Sequence, residues 1–130
     1  MILKDKVIIV TGAGPGMGQA LCRGAAAEGA KVVVSARSVD AIEVIVADIK
    51  AKGGEAIAVR CDVSSTEDCN AIAKAALDKW GRIDGVVHSA YYHPDWSNLE
   101  AHSLDQLTQA LDVIAVGGLR MAQAVIPAMK

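Results

Sequence analysis

The sequence predicts an α/β fold in which helices cover both faces of a doubly wound parallel sheet. Two observations carry this prediction. Short β-branched runs alternate with helix-patterned segments along all 130 residues, and a glycine-rich turn joins the first run to the first helix. The composition agrees, because Ala, Val and Ile dominate a chain that is 52% hydrophobic and has no Phe. Small apolar side chains suit a sheet between closely packed helices.

The glycine-rich turn spans residues 11–18, TGAGPGMG, and follows a continuous apolar run at residues 7–10. Glycine tolerates positive φ and has no Cβ, so a bulky anion can lie close to the backbone. The first free N–H groups of the following helix point at such an anion. The order of strand, turn and helix favours a phosphate-binding turn over a turn that binds nothing. The predicted binding residues are Gly12, Gly14, Pro15, Gly16, Met17 and Gly18.

The segments after this turn continue the alternation. The spacing of apolar residues, helix caps and terminating glycines predicts helices over 17–28 and over 39–52, the second capped by Ser38. The same signals predict strands over 31–36 and 55–60. A helix then lies between a capping box at 64–67 and Gly81, followed by a strand over 83–88. The last helix runs from about 104 to 126, behind a capping box of Ser103 and Gln106, with Pro127 at its end.

This alternation predicts a Rossmann-type sheet with the strand order 3-2-1-4. The order reverses between strands 1 and 4, so the loops that follow these two strands face one crevice. Ligands of such sheets bind in that crevice, at the carboxyl ends of the strands. The length and the absence of a linker predict one domain over residues 1–130.

Charge and hydropathy narrow the possible partners. A net charge of −2 argues against nucleic acid or a membrane surface as a partner. The segment before the first strand lacks a signal-peptide pattern, and no apolar segment is expected to be long enough to span a bilayer.

The three cysteines and three histidines show no spacing typical of metal ligands, so we expect no metal site. Each cysteine is interpreted as a small buried apolar residue, and a reduced, cytoplasmic setting fits best.

Three residues near the strand ends indicate a dinucleotide. An acid at the end of strand 2 would bind the ribose hydroxyls of NAD, but this chain has Arg37 there. The arginine fork matches a phosphate, which favours NADP over NAD. The alternative is a solvated surface arginine. After strand 3, Asp62 can accept from the adenine amino group while Val63 packs on the ring, although an Asx turn would also explain Asp62.

The residues quoted so far match a known family. The segment 11–18 resembles the TGxxxGxG motif of the short-chain dehydrogenases/reductases, Asp62-Val63 is similar to the adenine-contacting pair of that family, and WGRID at 80–84 is similar to its approach to strand 4. The resemblance covers all 130 residues and implies the N-terminal, dinucleotide-binding part of an oxidoreductase that transfers hydride between a carbonyl or alcohol and NADP. It places Ser89 and Ala90 beside the ribose of the cofactor.

The sequence also departs from this family. The Asn-Asn-Ala-Gly motif after strand 4 is replaced by His88-Ser89-Ala90-Tyr91, and the asparagine of the catalytic tetrad aligns with Ile114. The family's catalytic serine and Tyr-x-x-x-Lys have no counterpart in these 130 residues, so no catalytic residue is assigned. His88 is a conceivable replacement acid. We expect a cofactor-binding part, truncated before the catalytic half, that turns over no substrate alone.

Two other functions are compatible with the sequence. One is a non-catalytic nucleotide-binding or regulatory module, which the departures at Ser89, Tyr91 and Ile114 favour. The other is a different Rossmann enzyme such as a methyltransferase, which Arg37 argues against. An exposed edge at strand 4 and the glycines Gly117-Gly118 in the last helix predict a homo-oligomer or pairing with a missing half. The sequence does not identify a substrate.

Overall fold

The computed structural model describes residues 1–130 and contains a four-stranded parallel sheet in the predicted order β3-β2-β1-β4. The strands are β1 (Val7–Thr11), β2 (Lys31–Ala36), β3 (Glu55–Arg60) and β4 (Gly85–His88). The helices are α1 (Met17–Ala27), α2 (Val39–Ala51), α3 (Thr66–Trp80), α4 (Leu104–Leu111) and α5 (Gly117–Met129), with a π-helical turn at Asp112–Val116 between the last two.

The core lies on both faces of the two central strands. In β1, Val7 and Ile9 pack in the cluster that includes α3 and α5, whereas Val10 packs in the cluster that includes α1 and α2. Burial on both faces explains why β1 and β2 read as continuous apolar runs in the sequence. Because helices cover both faces, a ligand can approach the sheet backbone only at the ends of the strands.

The cap of α3 differs from the predicted one by one residue. Ser65 Oγ accepts from the N–H of Asp68 at 3.2 Å, so the capping box predicted at 64–67 is wrong. The Ser64 side chain turns back toward Asp62 instead, and its hydroxyl donates to Asp62 Oδ1 at 2.6 Å.

The predicted caps of two other helices are present. Ser38 Oγ accepts from the N–H of Ala41 at 3.4 Å, and Ser103 Oγ accepts from the N–H of Gln106 at 3.3 Å. The Gln106 side chain does not return to Ser103, because its amide group donates to Asp95 Oδ2 at 2.9 Å. Only the serine half of the predicted capping box therefore forms at this helix.

The helix predicted over 104–126 is longer than expected. It continues through Pro127 to Met129, so the prediction that Pro127 ends the helix is wrong. By length and composition alone, the 26-residue helix Leu104–Met129 could cross a membrane, which corrects the expectation that no segment is long enough. In the fold, this helix packs against the sheet through Gly117, Met121 and Val125. Only 17% of its most apolar 18-residue segment is buried. The rest of that segment is partly or fully exposed.

The two adjacent glycines of this helix lie where it approaches the sheet. A Cβ on Gly117 would lie 2.9 Å from Val63 Cγ2, and a Cβ on Gly118 would lie 3.4 Å from the His88 ring. A side chain at Gly117 would therefore push the helix away from Val63. Close packing at this point offsets the roughly 1 kcal/mol that a helical glycine costs relative to Ala.

Strand β4 begins at Gly85, later than the predicted start at Ile83. Asp84 explains the difference. Its backbone N–H donates to the carbonyl of Val7 at 2.9 Å, while its carboxylate accepts from the N–H of Val7 at 2.8 Å. Arg82 donates to the same carboxylate at 2.6 and 2.8 Å. Asp84 thus ties the start of β4 to the start of β1 before the strand ladder begins.

Asp84→Asn should lower the free energy of unfolding by about 1 kcal/mol at neutral pH, because the charged partner of Arg82 is lost. Bonding to Arg82, with a smaller contribution from the Val7 N–H, holds the pKa of Asp84 below its ordinary value of 3.8. A depressed carboxyl pKa stabilises the fold above the ordinary value, and this stability is lost as the pH falls through the folded-state pKa. Urea unfolding measures the free energy of unfolding of wild type and of Asp84→Asn from neutral to acidic pH. The two values should become equal in acid.

Asp78→Asn is the matched control for this experiment, because Asp78 forms an exposed ion pair with Lys74 within α3 and should change stability little. A difference in the free energy of unfolding between wild type and Asp84→Asn that persists unchanged in acid would contradict the role of the Asp84 carboxylate.

Candidate functional site

The glycine-rich turn folds tightly between β1 and α1. Gly12 has a φ of 66° and Gly16 a φ of 92°, which other residues adopt only with strain. A Cβ on Gly12 would lie 2.4 Å from the backbone nitrogen of Ala90, and one on Gly18 would lie 2.2 Å from the carbonyl oxygen of Gly12. The turn is therefore built from backbone contacts that leave no space for side chains at these two positions.

Helix α1 begins directly beyond this turn, with Gly16 as its N-cap and no side chain capping it. The N–H of Gln19 bonds to Gly14 at 3.2 Å, whereas the N–H groups of Met17 and Gly18 make no hydrogen bond. The first turn of α1 carries no acidic residue. Free N–H groups at the positive end of a helix attract an anion, so this end of α1 is suited to a phosphate.

A cleft of about 510 Å³ opens beside the turn at the carboxyl ends of the strands. Ten of the eleven predicted binding residues line it: Gly12, Gly14, Pro15, Met17, Gly18, Arg37, Asp62, Val63, Ser89 and Ala90. Gly16 does not line the cleft, and its positive φ shapes the turn instead. The cleft thus brings together the loops after β1, β2, β3 and β4, as the topology predicts.

Seven further residues line the cleft and were not among the predicted binding residues: Ala36, Ser38, Cys61, Tyr91, Tyr92, His93 and Val113. Ser38 could have been found, since it follows Arg37 directly. Tyr91, Tyr92 and His93 belong to the loop after β4, which the strand order places at the crevice. No sequence signal marks Val113, because the π-helical turn determines which residue of the long helix faces the cleft.

Arg37 and Asp62 lie at the end of the cleft that β2 and β3 form. Arg37 is exposed, and its guanidinium makes no hydrogen bond or ion pair within the chain. Ser64 donates to Asp62 Oδ1 from its hydroxyl at 2.6 Å and from its N–H at 2.9 Å. These bonds, with a smaller contribution from Arg37, hold the pKa of Asp62 below its ordinary value. The Asx turn is therefore present, while Asp62 Oδ2 and the Arg37 fork have no partner.

His88 does not line the cleft. Its Nδ1 lies 3.0 Å from Thr11 Oγ1, and its Nε2 lies 3.2 Å from the carbonyl oxygen of Val113. A carbonyl only accepts, so Nε2 carries a proton and Thr11 can donate to Nδ1. Both ring nitrogens are occupied within the fold, which argues against His88 as a replacement acid.

The aromatic segment after β4 forms the other end of the cleft. Tyr91 stands where the resembling family has glycine, and it is 52% exposed. Its ring meets His93 edge to face, with the ring centres 4.7 Å apart. The close backbone approach in this region involves Ser89 and Ala90 rather than Tyr91. Tyr91 therefore contributes a side-chain wall to the cleft.

Ile114 points away from the cleft, since it is 42% exposed and does not line it. Its neighbour Val113 lines the cleft and offers no polar side chain there. The long helix therefore contributes an apolar wall at this point.

All three cysteines are buried and free, which confirms their interpretation as small core residues. Burial raises the pKa of Cys61 to about 12 and that of Cys22 to about 11. Thiols with such pKa values stay protonated and unreactive near neutral pH. Cys61 therefore forms part of the cleft wall as an uncharged side chain.

Comparison with known proteins points to one family. The family model described as short chain dehydrogenase matches residues 6–130. An uncharacterized oxidoreductase of Listeria monocytogenes is 39% identical over 127 residues, which are 98% of this chain and 51% of that protein. The chain thus spans about half the length of this curated relative.

Solved structures agree with the sequence relatives. A short-chain type dehydrogenase/reductase of Mycobacterium marinum matches with a TM-score of 0.91 at 30% identity, covering 98% of this chain and 51% of that one. A metagenomic short-chain oxidoreductase in complex with NADP matches with a TM-score of 0.91 at 31% identity, covering 99% of this chain and 58% of that one.

Gly12→Ala should destabilise the protein by at least about 3 kcal/mol, because the new Cβ meets the Ala90 backbone and φ is positive. Gly14→Ala is the matched control, since a Cβ there meets nothing within 4 Å. Thermal unfolding of both variants measures the difference. Equal melting temperatures for the two variants would contradict the backbone contact between the turn and the segment after β4.

Proposed function

The chain belongs to the short-chain dehydrogenase family, and we propose that it is the cofactor-binding part of an NADP-linked oxidoreductase that transfers hydride between a carbonyl and an alcohol. The observation that carries this proposal is the cleft itself. It combines an uncapped helix N-terminus over a glycine turn with an unpartnered arginine fork. Both features suit a ligand with phosphates at two separate points.

NADP fits the residues of this cleft. The N–H groups of Met17 and Gly18 would donate to the pyrophosphate, and the Arg37 guanidinium would bind the 2′-phosphate. When bound, the nicotinamide supplies or accepts the hydride.

Two further contacts would orient the adenosine and the ribose. Asp62 Oδ2 is free to accept from the adenine amino group, and Val63 offers an apolar contact. Ser89 and Ala90 would lie along the ribose on the β4 side.

The preference for NADP over NAD rests on Arg37. No carboxylate lines the cleft beside Arg37 except Asp62, which already accepts two hydrogen bonds from Ser64. An arginine without an internal partner breaks no hydrogen bond or ion pair of the protein when it binds a phosphate. The related metagenomic oxidoreductase was solved with NADP, which supports the same choice for this chain.

Proton transfer is the part of the reaction that these residues do not supply. Both nitrogens of His88 are engaged in the fold, and the Tyr-x-x-x-Lys pattern does not occur in the sequence. We therefore propose that residues 1–130 alone bind the cofactor without turnover. Oxidation of NADPH by these residues with any carbonyl substrate would contradict this proposal.

A non-catalytic nucleotide-binding module is the second candidate. Ile114 favours it, because an exposed aliphatic side chain stands where the family has a catalytic asparagine. The full reading frame and the intact mass of the protein distinguish the two candidates. A continuation that includes a serine and Tyr-x-x-x-Lys supports the oxidoreductase, whereas a stop after Lys130 supports the module. A methyltransferase would instead be stabilised by S-adenosylmethionine in a thermal-shift assay.

Arg37→Ala should weaken NADPH binding about tenfold to a hundredfold and leave NADH binding unchanged, because a charge-assisted bond to the 2′-phosphate is lost. Arg60→Ala is the matched control. Arg60 is an exposed arginine near Asp62 that bonds to Asp68 and does not line the cleft. Titration calorimetry measures the NADPH and NADH affinities of wild type and of both variants. Unchanged NADPH binding in Arg37→Ala, or equal NADH and NADPH binding in wild type, would refute the phosphate assignment.

We also propose that the protein is a cytoplasmic homo-oligomer that binds neither nucleic acid nor membrane. The support for the homo-oligomer is an outer stripe along the long helix, formed by seven of its large apolar side chains, each at least 42% exposed. The outer stripe consists of Leu104, Leu107, Leu111, Ile114, Leu119, Ile126 and Met129. An apolar stripe of this length on a long helix suits a second copy of the same helix.

Leu111→Glu combined with Leu119→Glu should convert the oligomer to a monomer, because the interface would have to bury two charges. Val44→Glu is the control, since Val44 is 65% exposed on α2 and lies outside the outer stripe. Sedimentation at micromolar concentration measures the mass of each variant. A wild-type protein that sediments as a clean monomer would refute the proposed assembly.

A further inference from the structure

Arg120 connects the long helix to the β3 side of the cofactor cleft. Its Nη1 donates to the carbonyl oxygen of Val63 at 3.0 Å and to that of Asp112 at 3.2 Å, and its Nη2 bonds to Asp112 Oδ1 at 2.6 Å. The Arg120 side chain is only 19% exposed. One guanidinium therefore joins a residue of the cleft wall to the π-helical turn.

Val63 has few other polar contacts at this point. It lies between β3 and α3, and no backbone N–H donates to its carbonyl oxygen. The only other donor is the Cys69 thiol, at 3.8 Å, which is a weak donor. The side chain of Val63 is held from the same direction, because it packs where Gly117 leaves room for it. The long helix thus fixes both the carbonyl group and the side chain of Val63.

The π-helical turn makes this arrangement possible. Asp112 and Arg120 are eight positions apart, which in an unbroken α-helix leaves two side chains about 80° apart around the axis. The extra residue of a π turn makes the separation equivalent to about seven α-helical residues, which places both on nearly the same face. The N–H of Gly117 bonds to Asp112 across this turn. Asp112 can therefore anchor Arg120 while Arg120 reaches Val63.

We propose that Arg120 is a positioning residue that holds the backbone of Val63 at the adenosine end of the cofactor cleft. The inference rests on the proposed function, because it assigns the adenosine of NADP to the wall formed by Asp62 and Val63. Arg120 itself does not line the cleft and acts through Val63. Without the guanidinium, the carbonyl of Val63 keeps only the weak thiol donor, and the wall loses its fixed position.

The test compares Arg120→Met with Arg82→Met in the protein expressed from its complete reading frame. Arg82 is a matched control, since its Nη2 also lies 2.6 Å from a carboxylate, that of Asp84, at the opposite end of β4 from the cleft. Titration with 2′,5′-ADP measures binding at the adenosine end, and titration with NADPH measures binding of the whole cofactor. Both are performed well below the melting temperature of each variant.

Arg120→Met should bind 2′,5′-ADP about tenfold more weakly than wild type, and NADPH by the same factor, because the loss is confined to the adenosine end. Arg82→Met should bind both ligands as wild type does. Asp112→Asn, which weakens the anchor but keeps the guanidinium, should show a smaller loss in the same direction, and it replaces Arg120→Met if that variant does not fold.

Three results would overturn the inference. Arg120→Met could bind 2′,5′-ADP as tightly as wild type does. Arg120→Met and Arg82→Met could lose the same amount of ligand affinity, or Arg120→Met could lose much more affinity for NADPH than for 2′,5′-ADP. In each case Arg120 would not act by positioning the adenosine end of the cleft, while the proposed function would stand. A wild-type protein that binds neither ligand would instead overturn the proposed function and this inference together.

Discussion

The cleft depends on the contact between Gly12 and the backbone of Ser89 and Ala90. A Cβ on Gly12 would lie within 2.5 Å of both residues, so only glycine lets the loop after β1 rest on the loop after β4. This contact sets the distance between the two loops that flank the point where the strand order reverses. Met17 and Gly18, whose N–H groups have no partner in the fold, line the cleft next to this contact. A phosphate site needs such fixed donors, because they do not have to reorganise when the ligand binds.

Most of the fold could be predicted from the sequence because it depends on local signals. The β-branched runs, the glycine turn and the serine caps each act within a few residues, and the strand order follows from their alternation. The errors fall where a single side-chain contact decides, whether its partner is near or far along the chain. Asp84 delays the start of β4 by bonding to Val7, and the Ser64 side chain turns back to Asp62, so Ser65 caps α3. Neither contact leaves a periodic pattern in the sequence.

The candidate site also contains some residues that motif position predicts and others that only contacts in the fold determine. Residues named from motif position, such as Arg37 and Asp62, line the cleft. Val113 and Arg120 could not be predicted in this way, because a π-helical turn shifts the faces of the long helix after residue 112. That turn is held from two sides, by His88 at the carbonyl of Val113 and by Arg120 at Asp112. The position that the family gives to a catalytic asparagine faces outward as Ile114, while the neighbouring backbone still connects the helix to the cleft.

A crystal structure of the complete protein with NADPH tests the central claim most directly. The account predicts that the pyrophosphate lies against the N–H groups of Met17 and Gly18, and that the 2′-phosphate lies within hydrogen-bond distance of the Arg37 guanidinium. A dinucleotide bound outside this cleft, or bound within it with the adenosine ribose turned away from Arg37, would contradict the account.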